Sequence, residues 1–388
     1  TLAAAARERL SVVPWGGGVA LPRARPPERY DIALDLSALD RIVEYQPEDL
    51  TLVAECGAAL AALSAALAEH GQELPLEGAL AARATLGGVL AANASGPRRL
   101  RFGAPRDRIL GARFALGDGT TGTAARSAVV RSGGRVVKNV AGYAVHRLLC
   151  GSRGGLAVLL EAALKLVPAP GRRVALIYGI GPRELRDEAR WASLPRLEPA
   201  VLSVVGDALT RELSVASPTG PFTLVAGFED DEARVEEQTA ACERALGEPD
   251  ARLVDEPAAR LWQGLADLER RGGARLTLAT SANTPAALAP LLAHPTAAAT
   301  SLLHAPAGRL VDFPGEAPAR EVIAPLLETG FTLLEALAGT GDLAGVAALE
   351  PPIRPQAAEL ALRERLREAF DPAGVFAFGE RWARGEGL

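Results

Sequence analysis

The stretch from Ser132 to Glu161, SGGRVVKNVAGYAVHRLLCGSRGGLAVLLE, constrains this chain more than any other. Gly133, Gly134, Gly142, Gly151, Gly154 and Gly155 fall inside it, yet apolar, strand-like sequence flanks it. Glycine permits positive φ and close approach of the backbone, at a cost in chain entropy. An ordinary core has no use for that cost so often. Glycine this dense, in otherwise well-patterned sequence, implies main chain wrapped around a bound group. A short helical piece over 145–149 separates the two glycine-rich turns.

Two earlier segments share the character. Ser11–Leu21 reads SVVPWGGGVAL, a short apolar strand running into a Pro-Trp turn and three glycines. Successive N–H groups of such a turn form a concavity for an anion, and glycine removes the Cβ atoms that would block a phosphate. The segment is neither GxxxxGK[ST] nor GxGxxG between a strand and a helix, so neither a P-loop nor a Rossmann site is indicated. By itself it also reads as a plain tight turn. The second segment is ATLGGVLAANASG, residues 84–96, where Thr85 is placed to cap a short helix. A helix start presents free N–H groups to an anion. The charged run that follows, GPRRLRFGAPRD over 96–107, reads as a loop, either a solvated turn or a lid or partner contact.

Composition narrows the class. At 388 residues, two or three domains are expected. Apolar content of 48% with 23% charged residues fits a globular protein, and no long uncharged apolar run predicts a membrane span. A net charge of −5 and only 4% aromatics argue against nucleic acid as a partner. Cys56, Cys150 and Cys242 are far apart and form no CxxC pair, which excludes a disulfide framework, a zinc knuckle and an iron–sulfur site, and fits a reducing, cytoplasmic compartment. The chain lacks Met even at its start and shows no signal peptide, so its first residue is expected to be trimmed.

Strands are predicted over 31–36, 50–54, 109–116, 129–137 and 156–167, with Gly117-Asp118-Gly119 as a hairpin turn and a helix over 58–70 capped by Gly71. No regular βαβ alternation appears, so this part is α+β. Pro168–Gly171 is the best domain boundary. Beyond it, strands over 173–180, 200–206, 222–228 and 274–280 alternate with helices over 183–192, 232–246 and 257–270. The pattern reads as an antiparallel sheet with helices on one face. A charged helix over 355–370 ends at the turn Asp371-Pro372-Ala373-Gly374.

The order and spacing of PWGGG, TLGGVLAANASG, GSRGGLAVLLEAALKLVP and FDPAG resemble the FAD-binding domain of the vanillyl-alcohol oxidase / PCMH flavoprotein superfamily. GPRR, GRVVKNVAGY and GSRGG are similar, within it, to the FAD-binding E-subunit family of bacterial glycolate oxidases. The resemblance covers nearly all of 10–170 and returns at 355–376. It implies a PCMH-type FAD-binding domain of two α+β subdomains over 1–170, an antiparallel α/β cap over 171–350, and a segment over 351–388 returning to the FAD domain. It implies non-covalently bound FAD. The pyrophosphate would lie on Gly16, Gly17 and Gly18, flanked by Trp15 and Val19. Thr85, Leu86, Gly87, Gly88, Asn93, Ser95 and Gly96 would line the same channel. Gly151, Ser152, Gly155 and Val158 would meet the adenosine or ribityl part. Lys138, Asn139, Gly142 and Tyr143 would lie near the flavin or a facing subunit. The chain departs from the family pattern at Val19 (Ser or Thr), Ala144 (Asp), His146 (Ser or Thr) and Ala157 (Gly), and at Ala377-Phe378-Gly379-Glu380, which replaces an Asn-Pro-Gly-Arg-like ending.

Relatives that oxidise 2-hydroxy acids carry a His-rich GHxGDGNxH-like motif that supplies metal ligands and a base for α-proton removal. Here His70, His146, His294 and His304 stand apart, and Gly341-Asp342 has no histidine nearby. No metal ligand and no catalytic residue is assigned to the chain alone. The resemblance then implies a flavin-bearing accessory subunit, cytoplasmic, with any membrane association arising through its partners. Those partners are a larger catalytic FAD subunit and an iron–sulfur subunit. The alternatives are a stand-alone flavin oxidoreductase, with Tyr143 and His146 as acid/base candidates, and a scaffold that has lost its flavin.

Overall fold

The computed structural model describes residues 1–19, 27, 29–77, 82–120, 127–135, 142–215, 220–268, 275–280, 285–294, 302–304, 311–314, 331–337 and 357–379. The chain forms two compact units, one of Thr1–Ser95, Gly103–Ala169 and Arg354–Leu388, the other of Gly96–Phe102 and Pro170–Ile353.

In chain order the first unit opens with α1 (Leu2–Glu8), β1 (Val12–Trp15), β2 (Ile32–Asp35), β3 (Ile42–Gln46), β4 (Thr51–Glu55), α2 (Leu60–Ala68), β5 (Gln72–Glu73) and α3 (Leu86–Ala92). The helical turn α4 (Arg99–Phe102) belongs to the second unit. The first unit resumes with α5 (Pro105–Arg108), β6 (Ile109–Thr120), β7 (Ser127–Gly133), α6 (Val145–Leu149), β8 (Val158–Lys165) and β9 (Val167–Pro168). β1 and β2 pair in parallel, and β5 pairs with β9. The main sheet is antiparallel in the order β3-β4-β8-β6-β7. One of its faces buries Leu52, Ala54, Phe114, Ala162 and Leu164 against Leu63 and Leu67 of α2, Leu86 and Leu90 of α3, and Leu149 of α6. That face holds the start of α3 at the end of β4, next to Cys56.

The second unit contains β10 (Arg172–Ile180), α7 (Pro182–Arg186), α8 (Glu188–Ala192), β11 (Val201–Gly206), α9 (Asp207–Glu212), β12 (Phe222–Asp230), α10 (Glu232–Leu246), β13 (Ala251–Val254), α11 (Glu256–Leu268), β14 (Arg275–Thr280), β15 (Leu302–His304), β16 (Val311–Pro314) and β17 (Phe331–Leu337). Its strands form one antiparallel sheet, β13-β10-β12-β11-β15-β16-β14-β17. The last helix, α12 (Ala357–Phe370), is back in the first unit. There Asp371, fully buried, accepts the N–H groups of Val375 (2.8 Å) and Phe376 (2.9 Å), and Val375 in turn accepts from Val12.

Four sequence expectations change. Helices cover both faces of the second sheet: Val235 and Cys242 of α10 pack with Leu176, Val204 and Leu224, while Leu261, Trp262 and Leu265 of α11 pack with Ile177, Val201 and Val225. The central strands are accordingly apolar at consecutive positions, as strands buried on both sides are. Gly117-Asp118-Gly119 is no turn, since β6 runs through to Thr120. Gly117 is glycine because a Cβ there would lie 2.1 Å from Asp371 Oδ1. The single helix over 183–192 is two, broken at Asp187, whose side chain caps the second by accepting from the Arg190 N–H. The run 96–107 is two helical turns, α4 and α5. Arg98 of this run donates twice to Glu229, which is buried and also accepts from Arg173, so it is a packed anchor of the second unit and not a solvated turn.

Candidate functional site

β1 delivers Trp15 and then Gly16, Gly17 and Gly18 onto the segment before α3. A Cβ on Gly16 would lie 2.3 Å from Thr85 Oγ1, and one on Gly17 would lie 1.6 Å from the Arg83 carbonyl oxygen. Gly18 has φ +70° and sits against the Trp15 indole, which stays partly exposed. The glycines thus let two stretches of main chain touch. Among the described residues, none accepts a hydrogen bond from the N–H of Gly16, Gly17 or Gly18. Val19 packs against the cluster of Leu60, Ala84 and Val89.

The start of α3 behaves differently from the expectation of free helix-end donors. Thr85 is the N-cap, and its Oγ1 accepts from Gly88 N–H at 3.3 Å. Leu86 N–H goes to the Ala58 carbonyl at 2.9 Å, Gly87 N–H to Cys56 at 2.7 Å and Val89 N–H to Thr85 at 3.0 Å. The first-turn donors are consumed inside the protein. Gly87 makes this possible, since a Cβ there would stand 2.8 Å from Cys56 Cβ.

The third glycine segment joins the other two. Gly151 N–H donates to Leu90 and Arg153 N–H to Ala91, the last turn of α3. Gly151, φ +90°, faces Asn93, the αL C-cap of α3, whose Oδ1 accepts from Arg106 N–H. Gly154, φ +77°, rests on Pro14, immediately before the Trp15–Gly18 turn. Gly155 packs against the Phe378 carbonyl of the C-terminal return. The three segments therefore meet within the first unit.

The other expected site residues have the following protein neighbours. Ser152 is buried, with Oγ donating to Leu149 at 2.8 Å, and Val158 belongs to a small core with Ala115 and Phe376. Ser95 Oγ contacts the Asn93 carbonyl, and Gly96 lies in the second unit. Tyr143 is 93% exposed, and a Cβ on Gly142 would meet nothing within 4 Å among the described residues. Lys138, Asn139 and Gly341-Asp342 lie outside the described residues. His146 is buried, with Nδ1 3.0 Å from Ser132 Oγ; burial, and next the Arg147 charge, lower its pKa. Burial raises the Cys56 thiol far above its usual range and pushes Cys150 up to about 12, so neither is a ready nucleophile. Among the described residues no group of His, Cys, Asp and Glu could hold a metal, and no helix is long and apolar enough to cross a membrane.

Comparison with known proteins meets this geometry at the same place. Residues 1–124 match the FAD binding domain family. The chain is 39% identical over 164 residues to glycolate oxidase subunit GlcE of Escherichia coli (strain K12), covering 42% of this chain and 45% of that protein. It is 31% identical over 169 residues to glycolate oxidase subunit GlcD of Bacillus subtilis (strain 168), covering 44% and 34%. To the mitochondrial D-lactate dehydrogenase [cytochrome] of Arabidopsis thaliana it is 25% identical over 264 residues, covering 66% and 45%. The matched stretches thus span less than half the length of these relatives. An alkyldihydroxyacetonephosphate synthase structure superposes over 97% of this chain and 73% of its own, with a TM-score of 0.66 at 15% identity, which establishes the fold alone.

Arg83 escapes the sequence reading. It carries no glycine-like signature, and its position two residues before the Thr85 cap is the only local hint. Its Nη2 donates to the Gly17 carbonyl at 3.3 Å. The first unit therefore presents, at one junction, backbone donors without an acceptor among the described residues, a cation and main chain free of side chains. That donor set fits a dinucleotide's pyrophosphate.

Proposed function

We propose that this chain binds FAD non-covalently at the junction of the Trp15–Gly18, Arg83–Gly88 and Gly151–Gly155 segments. We further propose that it serves as the flavin-bearing subunit of a glycolate oxidase-type complex. The observation that carries the cofactor is the turn at Gly16–Gly18, whose N–H groups have no acceptor among the described residues beside the Arg83 cation. Buried or half-buried N–H groups find partners in folded proteins, so a turn with several open donors is built for an anionic one. Bound flavin would supply the acceptance and onward transfer of electrons. This chain's own residues would bind and orient it: Gly16–Gly18 at the phosphates, with Gly151 and Gly154 letting the third segment pack against Asn93 and Pro14 beside them.

The accessory role draws support from what surrounds the junction. The Nδ1 of buried His146 is taken up by Ser132 Oγ, and Tyr143 projects into solvent, so neither is set up as the base that α-proton removal from a hydroxy acid requires. The likeness to proteins named as subunits of glycolate oxidase favours a multisubunit setting, and the family resemblance implies a larger flavoprotein and an iron–sulfur subunit as the partners. The test is to purify the full chain, record its visible spectrum, and assay glycolate and D-lactate with a dye acceptor, alone and with co-expressed partners. A flavin spectrum released by acid, with turnover only in the complex, is the expected result. Absence of flavin overturns the cofactor assignment, and robust turnover by the isolated chain overturns the accessory role.

A further inference from the structure

We infer that Arg83 is the cationic residue of the pyrophosphate site. The inference rests on the FAD reading above and adds a residue that neither the glycine pattern nor the family resemblance brings out. Arg83 meets the Gly16–Gly18 turn twice. Its carbonyl lies where a Cβ on Gly17 would be, and its guanidinium, 66 positions away in sequence, donates from Nη2 to the Gly17 carbonyl at 3.3 Å. The side chain is exposed and has no carboxylate partner among the described residues. Most other arginines around the first unit's sheet are spent: Arg41 on Glu55, Arg113 on Glu161 and Arg135 on Glu44.

Among the described residues, Arg83 brings a charge to the Gly16–Gly18 turn. Val19, the next residue of the turn, is turned into an apolar cluster and offers no polar group. The first-turn donors of α3 are used internally. Among the described residues, the Gly16–Gly18 turn offers an anion its own N–H groups and the Arg83 guanidinium held on the Gly17 carbonyl. A guanidinium keeps its charge at any working pH and carries five N–H donors in a planar fork suited to phosphate. The Gly17 carbonyl occupies one of them. The ligand class is therefore a diphosphate within a dinucleotide.

The test uses the full chain and the variants Arg83→Ala, Arg83→Gln and Arg83→Lys. FAD affinity is read by flavin fluorescence at low and high salt, and folding is checked by circular dichroism. Loss of a charge-assisted contact to phosphate predicts FAD binding weaker by about tenfold or more in the Ala and Gln variants. Lys should recover most of the loss, and the salt dependence of binding should flatten in Arg83→Ala. Equal affinity in Arg83→Ala and the unmodified chain overturns the inference, as does full recovery by the uncharged Gln. Inorganic pyrophosphate separates this claim from the FAD reading. If the unmodified chain takes up no FAD but pyrophosphate raises its melting temperature only when Arg83 is present, the FAD reading falls and Arg83 stands. If neither ligand acts on the unmodified chain, both fall.

Discussion

Two glycine-rich turns of the first unit, Gly16–Gly18 and Gly87–Gly88, look alike in sequence and do different things in the structure. At both, a side chain is excluded by neighbouring protein: a Cβ on Gly17 would strike the Arg83 carbonyl, and one on Gly87 would strike Cys56. Their N–H groups separate them. Those around Gly87 close onto Ala58, Cys56 and Thr85, whereas those of Gly16–Gly18 find no described acceptor. Missing side chains report that something comes close, and that something is commonly another segment of the same chain. Open donors report that a ligand is wanted.

The largest expected effect contrasts the two directly. Gly17→Ala places a methyl 1.6 Å from backbone oxygen, which only separation of the two segments can relieve. A cost of about 3 kcal/mol is expected, the upper end for overpacking. Gly87→Ala meets Cys56 at 2.8 Å, a milder clash, and gains helix propensity of roughly 0.5–1 kcal/mol, for a net loss of about 1 kcal/mol. Thermal unfolding checks the ranking. FAD uptake should be abolished by Gly17→Ala and kept by Gly87→Ala. Equal loss of FAD in both would erase the distinction drawn between the turns.

A smaller effect probes the start of α3 alone. Thr85→Ala removes the acceptor of Gly88 N–H and should cost about 1 kcal/mol, with Thr85→Ser restoring it. If the α3 donors serve only the fold, FAD affinity in Thr85→Ala changes no more than stability does. A large, selective loss of FAD would return the start of α3 to the ligand.

Much of this arrangement was legible from sequence, and the misses have one physical origin. The Thr85 cap and the positions of most strands follow from local rules, because caps, alternation and turn chemistry act over a few residues, whereas the meeting of the three glycine segments was legible only through the family resemblance. The fate of α3's donors was not legible, because Cys56 and Ala58 that consume them are distant in sequence. Gly117 was misread for the same reason, since its partner Asp371 lies at the other end of the chain. The run around Arg98 read as a solvated turn or as a lid or partner contact, because nothing local reveals that Glu229 awaits it in the second unit. Arg83 was missed because a lone arginine has no pattern at all.

The last test carries the comparison to Gly133, in the third glycine-rich stretch. A Cβ there would lie 2.3 Å from the Leu110 carbonyl oxygen and 2.8 Å from both Gly111 Cα and His146 Cε1, so this glycine too makes room for neighbours. His146 is held neutral, its pKa lowered first by burial and then by the Arg147 charge. The unfolded chain therefore takes up a proton near pH 6.5 that the folded chain resists. Stability from this group is fully present above that value and is lost as pH falls through it towards the lower folded pKa. Melting curves between pH 7.5 and 5, about the range over which histidine titrates, should thus fall more steeply for the unmodified chain than for His146→Gln. The other histidines are common to both proteins and drop out of the difference. Parallel curves would mean that His146 is hydrated in solution, and the ring would drop out of the neighbours that exclude a side chain at Gly133, leaving the backbone of Leu110 and Gly111.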